Sequence, residues 1–177
     1  MKAADPTTTN TPTPDPSDFV LITDTPLEQY DAQHLVASPA AGATSIFLGT
    51  TRDNFSGRRV LHLSYECYTA MATQQLNQLA TEMHTLWQLQ RVAILHRTGS
   101  VAIGEASVLI AASSAHRREA LDAVSWCIDE LKRRVVVWKK EVYEDGSVWK
   151  ENSEYDIPSL IKQTTDVLSP SHVETGQ

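Results

Sequence analysis

The sequence predicts an α+β domain with a mixed or antiparallel sheet and hairpins, on three observations. Short apolar or alternating runs recur between stretches of helical period. Gly99, Gly104 and Asp145-Gly146 separate neighbouring runs closely enough for hairpins. The resulting order, β-α-β-β-α-β-β-α-β-β, lacks the regular alternation of a doubly wound sheet. At 177 residues the chain fits a single domain with a full core.

Residues 1–17 are rich in Thr, Pro and Asp and cannot bury enough apolar surface to offset their ordering, so a disordered head is expected. Phe19-Val20-Leu21-Ile22 reads as a first strand. Thr25-Pro26-Leu27-Glu28 has the form of a capping box with proline at the first helical position, and predicts a helix to about Ala37, ended by Pro39 and Gly42. Ser45-Ile46-Phe47-Leu48 reads as a buried strand ending at Gly49. A polar loop spans residues 52–59. Leu61, Leu63, Tyr65 and Cys67 then alternate with His62, Ser64 and Glu66, which marks a strand with one wet face.

From about residue 69 to 87, Met71, Leu76, Leu79, Met83, Leu86 and Trp87 recur at helical spacing. Residues 92–95 and 107–111 are two more strands. A helix follows over about residues 115–132, with Ala120, Leu121, Val124, Cys127, Ile128 and Leu131 as its apolar stripe and Ser113 or Ser114 as cap. Val135-Val136-Val137-Trp138 returns as a strand, paired through Asp145-Gly146 with Val148-Trp149. Residues 152–177 lose the pattern and read as a partly flexible tail, leaving residues 18–151 as the domain.

Composition bounds the function. Net charge is -7 and 41% of residues are hydrophobic, as in soluble globular proteins. The acidic balance argues against a general nucleic-acid binder, and no apolar run is long enough to span a membrane. Cys67 and Cys127 sit in apolar patterns, as reduced buried thiols do, with no second thiol or His at metal-ligand spacing. No signal-peptide core or Arg-bearing transit sequence opens the chain, so a cytoplasmic location is expected.

Against this acidic background, residues 116–140 hold seven of the 15 Lys and Arg, with only Glu119, Asp122, Asp129 and Glu130 among them. An anionic ligand explains such an island most simply. Arg52 stands in a loop leaving a strand, a common place for function, though it also reads as a solvated loop charge. His116-Arg117-Arg118 opens a helix, where cations oppose the macrodipole and a bound anion would offset that cost; the alternative is exposed arginines paired with Glu119 or Asp122. Lys132-Arg133-Arg134 closes the helix, where cations are favourable on structural grounds alone. Lys139 shares a strand face with Val135, Val137 and Glu141; apolar and cationic neighbours would lower its basicity and suit it to acid-base or nucleophilic work, while the bland reading is a snorkelling lysine.

Spacing adds a constraint. His116 and Lys132 stand about 24 Å apart on one continuous helix, too far to line one small pocket. Either the helix breaks, or there are two sites, or a second copy completes a shared one. The shared site of a homodimer is the favoured solution. No zinc spacing joins His62, His96 and Glu66, no Gly-flanked serine elbow is present, and no phosphate-cradling Gly loop exists.

Six motifs in order carry a family resemblance: Phe47-Leu48-Gly49-Thr50-Thr51-Arg52-Asp53-Asn54; Tyr65-Glu66-Cys67-Tyr68 followed by Met71-Ala72; His96-Arg97-Thr98-Gly99; Ser114-Ala115-His116-Arg117; Ile128-Asp129-Glu130-Leu131-Lys132; and Trp138-Lys139-Lys140-Glu141, with Asp145-Gly146 and Trp149 beyond. Over roughly residues 18–151 the chain resembles the large, catalytic subunit of molybdopterin synthase. The resemblance implies an α/β-hammerhead fold and a dimer of large subunits within a heterotetramer. Each large subunit would bind a small ubiquitin-like sulfur carrier whose C-terminal Gly-Gly thiocarboxylate enters the pocket. Sulfur would pass in two rounds to cyclic pyranopterin monophosphate, giving the dithiolene of molybdopterin, with no metal or other cofactor required.

The functional positions so implied are Lys132 and Lys139 as catalytic groups and Arg52, His116 and Arg117 as substrate binders, the His-Arg pair reaching the pocket from the partner subunit. Where the family usually has proline, this chain has Val136. Two readings compete: a non-catalytic module binding a nucleotide or short RNA, which would set aromatics such as Trp138 beside the cations, and a scaffold whose basic face docks an acidic partner.

Overall fold

A computed structural model describes residue 15, residues 17–144 and residues 146–150, with 147–150 given as backbone only. The strands are β1 (Phe19–Thr23), β2 (Ala43–Thr50), β3 (Asn54–Phe55), β4 (Arg58–Cys67), β5 (Leu89–Arg97), β6 (Gly99–Ala102), β7 (Ala106–Ser114), β8 (Val137–Tyr143) and β9 (Gly146–Lys150). The helices are α1 (Ala32–Leu35), α2 (Thr69–Leu86) and α3 (Arg117–Arg134), with a 3-10 turn at Leu27–Gln29. Most of the head and all of the tail lie outside the described residues, as does Asp145 of the expected hairpin turn; the hairpin itself is present, Tyr143 opposite Gly146.

The strands form two sheets. The first runs β1-β5-β7-β2, with β1 parallel to β5 and the other pairs antiparallel. The second runs β3-β4-β8-β9, and β6 joins it by pairing with β4. The α+β class with mixed and antiparallel sheets is therefore the observed one.

Period explains the layers. Along β5, Val92 and Ile94 point to one face and Ala93 and Leu95 to the other, and all four are buried. The first face is covered by α2 and α3 through Leu76, Leu79, Met83, Val124, Cys127 and Leu131. The second is covered by the segment carrying Leu27 and Val36. Burial on both sides is why β5 and β7 read as continuous apolar runs. A buried leucine in such a core contributes on the order of 2–5 kcal/mol when compared with alanine.

Several local expectations are corrected. The helix expected from residue 25 to about 37 is two pieces. Glu28 does not close a capping box; its Oε1 accepts the Ala106 N–H at 2.8 Å. Tyr30 is extended, and Asp31 caps α1 by accepting from the His34 N–H at 3.1 Å. Strand β2 is not buried throughout: Ile46 and Leu48 are 46% and 52% exposed, because β2 is an edge strand whose outer face is only partly covered, sharing an open cavity with Leu27, Tyr30 and Ala32. In β4 a bulge between Val60 and His62 turns Leu61 outward and puts Val60 in the core. The polar loop contains a hairpin, β3 to β4, whose turn residues Ser56 and Gly57 both have positive φ, 50° and 78°. Helix α3 is capped at His116, not by Ser113 or Ser114, and the Ser114 hydroxyl donates to the His116 carbonyl instead. Leu121 lies outside the buried stripe.

Candidate active site

A cavity of about 580 Å³ opens where the second sheet meets the end of the first. Its walls come from the exit of β2 (Gly49, Thr50, Arg52), the last turn of α3 (Ile128, Leu131, Lys132) and the inward face of β8 (Val137, Lys139, Glu141). The volume suits a drug-sized or pterin-sized ligand.

Arg52, Lys132 and Lys139 are thus brought together, from positions 52, 132 and 139. His116 and Arg117 are not. Helix α3 is unbroken over its 18 residues, and its N-terminus, where both residues are exposed, lies at the opposite end from Lys132. A broken helix is therefore excluded as the answer to the spacing problem.

Each cavity cation has a local cause. The α3 C-terminal triplet divides its labour. Arg134 pairs with Glu82 of α2 at 2.6 Å and with Glu130 at 2.8 Å, and Arg133 pairs with Glu130 at 2.5 Å. The Arg133 guanidinium holds the Glu130 carboxyl below the usual range, against its partial burial. These two arginines fasten α3 to α2 and to itself, while Lys132 lines the cavity. Arg118 likewise fits the bland reading, with Asp122 3.9 Å away at the surface.

Lys139 points inward on β8, and its Nζ is 3.3 Å from Glu141 Oε1. Its nearest charged partner is a carboxylate, not another cation as the sequence pattern suggested. Glu141 is 2% exposed, and its other oxygen accepts from the Tyr143 hydroxyl. A buried carboxylate needs such partners, and the pair fixes where the Lys139 ammonium sits. Trp138 is 50% exposed, and strand alternation turns it with Lys140 away from Lys139, so the aromatic singled out for the nucleotide-binding reading does not stand beside the cavity cations; the aromatic that does is Phe55, 5.9 Å from the Arg52 guanidinium.

The sequence reading missed the polar floor. Tyr65 donates to Ser107 Oγ at 3.1 Å, and Ser107 donates to the Gly49 carbonyl at 3.2 Å. Burial, more than the opposing Ser107 hydrogen bond, pushes the Tyr65 phenol up. His96 packs edge-on against the Tyr65 ring at 5.3 Å, and its Nδ1 donates to the Arg97 carbonyl at 2.9 Å. Burial pushes its pKa down to about 4, so the ring is neutral at physiological pH. A signal existed: His96 continues the Val92, Ile94 face of β5 one step past the helices that cover it. Gly49 is required here, because a Cβ would stand 2.5 Å from Val108 Cγ1. Cys127 is a buried core thiol pushed up to about 12, and Cys67 is a free, half-buried one.

A family model described as MoaE protein matches residues 22–134. The molybdopterin synthase catalytic subunit of Taeniopygia guttata is 47% identical over 140 residues, 78% of this chain and 90% of the relative. The chain belongs to the MoaE family. The Homo sapiens molybdopterin synthase catalytic subunit is 44% identical over 137 residues, 77% of this chain and 73% of that one. The solved molybdopterin synthase of Staphylococcus aureus superposes with a TM-score of 0.68 at 34% identity, covering 76% of this chain and 97% of that one. A MoaE protein structure from Burkholderia ambifaria gives 0.64 at 28% identity, covering 83% and 98%. Family membership assigns the chain a catalytic role in molybdopterin biosynthesis, as a sulfur-transferring enzyme.

Proposed function

We propose that the cavity transfers sulfur from the C-terminal thiocarboxylate of a small ubiquitin-like carrier to cyclic pyranopterin monophosphate, in two rounds, within residues 18–151. The observation that carries this is the convergence of Arg52, Lys132 and Lys139 on one cavity of pterin-accommodating size. Both reactants are anions, and cations in a partly desolvated cavity bind and polarise them far better than in water. Sulfur must leave the carrier's acyl carbon. Once that sulfur has bonded to a substrate carbon, water adds to the acyl carbon; the tetrahedral state carries a negative oxygen to which Lys132 is the assigned donor, and its collapse breaks the acyl C–S bond, leaving sulfur on the substrate and a carboxylate on the carrier. Lys139, held by Glu141, acts on the substrate as acid-base group or phosphate contact.

Arg52 binds the phosphate or pterin, together with His116 and Arg117 of a second protomer. The site is then shared across a homodimer, which with two carriers makes a heterotetramer, in the cytoplasm. Among the described residues no helix is long and apolar enough to cross a membrane, and no group of three or more His, Cys, Asp or Glu could hold a metal ion. Mixing the protein with a thiocarboxylated carrier and cyclic pyranopterin monophosphate tests the reading. Dithiolene product should form, and deleting the carrier's two terminal glycines should abolish it. Product with the truncated carrier would refute the tail-in-cavity mechanism.

A further inference from the structure

Water that adds to an acyl carbon must lose a proton, and no side chain assigned so far takes it. Arg52 and Lys132 are cations, and Lys139 is paired with the Glu141 carboxylate at 3.3 Å. The other Glu141 oxygen accepts from the Tyr143 hydroxyl. Tyr65 donates to Ser107, and Ser107 donates to the Gly49 carbonyl. Among the described residues lining the cavity, His96 is the one imidazole.

The fold keeps one nitrogen of that ring bare. Nδ1 lies 2.9 Å from the Arg97 carbonyl, and a carbonyl can only accept, so Nδ1 carries the proton and Nε2 is the acceptor of a neutral imidazole. The residue is only 5% exposed, and Nε2 has no hydrogen-bond partner among the described residues. Nor is that nitrogen sealed in packing, as the orphaned Arg97 Nε and Ser113 Oγ are. It opens to the cavity that the ring lines.

Its neighbours fix its place. Val108, the partner of His96 across β5 and β7, lines the same cavity. Tyr65, whose ring the imidazole meets edge-on at 5.3 Å, is the register partner of Lys139 across β4 and β8. Directly opposed strand residues have Cβ atoms about 4.5–5.5 Å apart. One aromatic ring therefore separates the imidazole from the Lys139 stem. A water takes up about 30 Å³, a small share of a cavity of about 580 Å³, so one fits beside a bound reactant.

We propose that His96 Nε2 is the general base for the water that frees the carrier, a role that rests on the sulfur-transfer reading. The water gives one proton to Nε2 as its oxygen bonds to the acyl carbon, and the carbonyl electrons move to the oxygen that Lys132 stabilises. On collapse the C–S electron pair goes to the sulfur now on the substrate, and the imidazolium returns the proton to that sulfur. The carrier is left as an acid, which ionises to its carboxylate. Burial keeps Nε2 unprotonated before the step. The negative oxygen and sulfur that develop during it favour the imidazolium. The Arg97 carbonyl holds the ring in the tautomer the step requires.

The test uses the full chain with thiocarboxylated carrier and cyclic pyranopterin monophosphate in single turnover, following the carrier's mass over time. His96→Asn keeps a donor for the Arg97 carbonyl and removes the Nε2 lone pair. If that chain fails to fold by circular dichroism, His96→Gln takes its place, with a non-basic amide where Nε2 stood. Carrier joined to substrate through sulfur should form at the wild-type rate and persist, its hydrolysis slowed at least about 10²-fold, as for loss of a general base. Hydroxylamine, which attacks thioesters without a base, should discharge it as the carrier hydroxamate. Nitrogen NMR of the wild type should show Nδ1 protonated and Nε2 bare. The opposite tautomer would overturn the proposal whatever the variants do. So would normal hydrolysis in the variant, or an equal slowing of both steps, which marks a structural role. A wild type that forms neither adduct nor product ends the sulfur-transfer reading and this role with it. A wild type that turns over beside an unimpaired variant ends the His96 role alone.

Discussion

Gln75 offers the sharpest test of how the site is held. Its side-chain amide spans the turn between α3 and β8: Oε1 accepts the Val136 N–H at 3.0 Å, and Nε2 donates to the Arg134 carbonyl at 3.0 Å. Lys132 lies just before this turn and Lys139 just after it. The clamp also accounts for Val136. A proline there would have no N–H to give, and this chain uses that N–H. Gln75→Ala removes two hydrogen bonds worth about 1 kcal/mol each, and leaves a half-buried donor and a helix-end carbonyl short of partners, for a total of about 2–3 kcal/mol. For a domain of this size, that lowers Tm by roughly 8–12 °C.

Scanning calorimetry measures the loss, and single-turnover sulfur transfer measures the displacement of the two lysines. Val136→Pro should cost only about 1 kcal/mol, since it removes one of the two bonds and the preceding residue, Val135, is already extended. Adding Gln75→Ala to that chain should then cost less than it does alone. A Tm for Gln75→Ala within about 2 °C of wild type would show that water replaces the clamp and that the turn is held otherwise.

Lys132→Ala should fold normally and lose at least about 10²-fold in sulfur transfer, as when one transition-state donor is removed; near-normal turnover would end its catalytic assignment. His84 is bonded to Asp18 at 3.0 Å, and that bond raises its pKa against partial burial. A raised folded pKa gives stability that is complete below the unfolded value near 6.5 and lost as pH rises through the folded value. Wild-type Tm should therefore fall over that window more than His84→Gln does; parallel curves would remove the pair from the stability account. His96 acts in the opposite sense. With its folded pKa near 4, it withdraws stability as pH falls from about 6.5 toward 4. Its ring carbons should show no NMR titration between pH 6 and 8, and a midpoint in that range would place the ring in contact with water.

Periodicity carried most of the fold. The strands of β5 and β7 and the helices α2 and α3 were legible because their apolar spacing is what burial selects, on two faces for the strands and one for the helices. What escaped was decided by partners distant in sequence. Glu28 satisfies an N–H of β7, 78 residues away, instead of its own helix. The β4 bulge is set by β8, and the exposure of Ile46 by its place on an edge strand. The two-residue β3 and four-residue β6 are too short for a period to show.

In the site, Arg52, Lys132 and Lys139 were nameable as members of a cationic pattern. Tyr65, Ser107, His96 and Glu141 were not assigned roles, because an isolated polar residue in an apolar strand declares itself only when its neighbours are known. Glu141 was visible as a face-mate of Lys139, but its burial was not. The separation of His116 from Lys132, by contrast, followed from helix rise alone, and the unbroken α3 upholds it.

The central claim, one cavity completed by two chains, is tested most directly by complementation. Arg117→Ala chains and Lys132→Ala chains, each inactive alone, are mixed under conditions where subunit exchange is verified by mass, and dithiolene formation is measured with thiocarboxylated carrier. A mixed dimer has one pocket with both residues intact and one with neither. With half the dimers mixed, activity should return to about a quarter of wild type. No recovery in fully exchanged dimers would contradict the account and confine each pocket to a single chain.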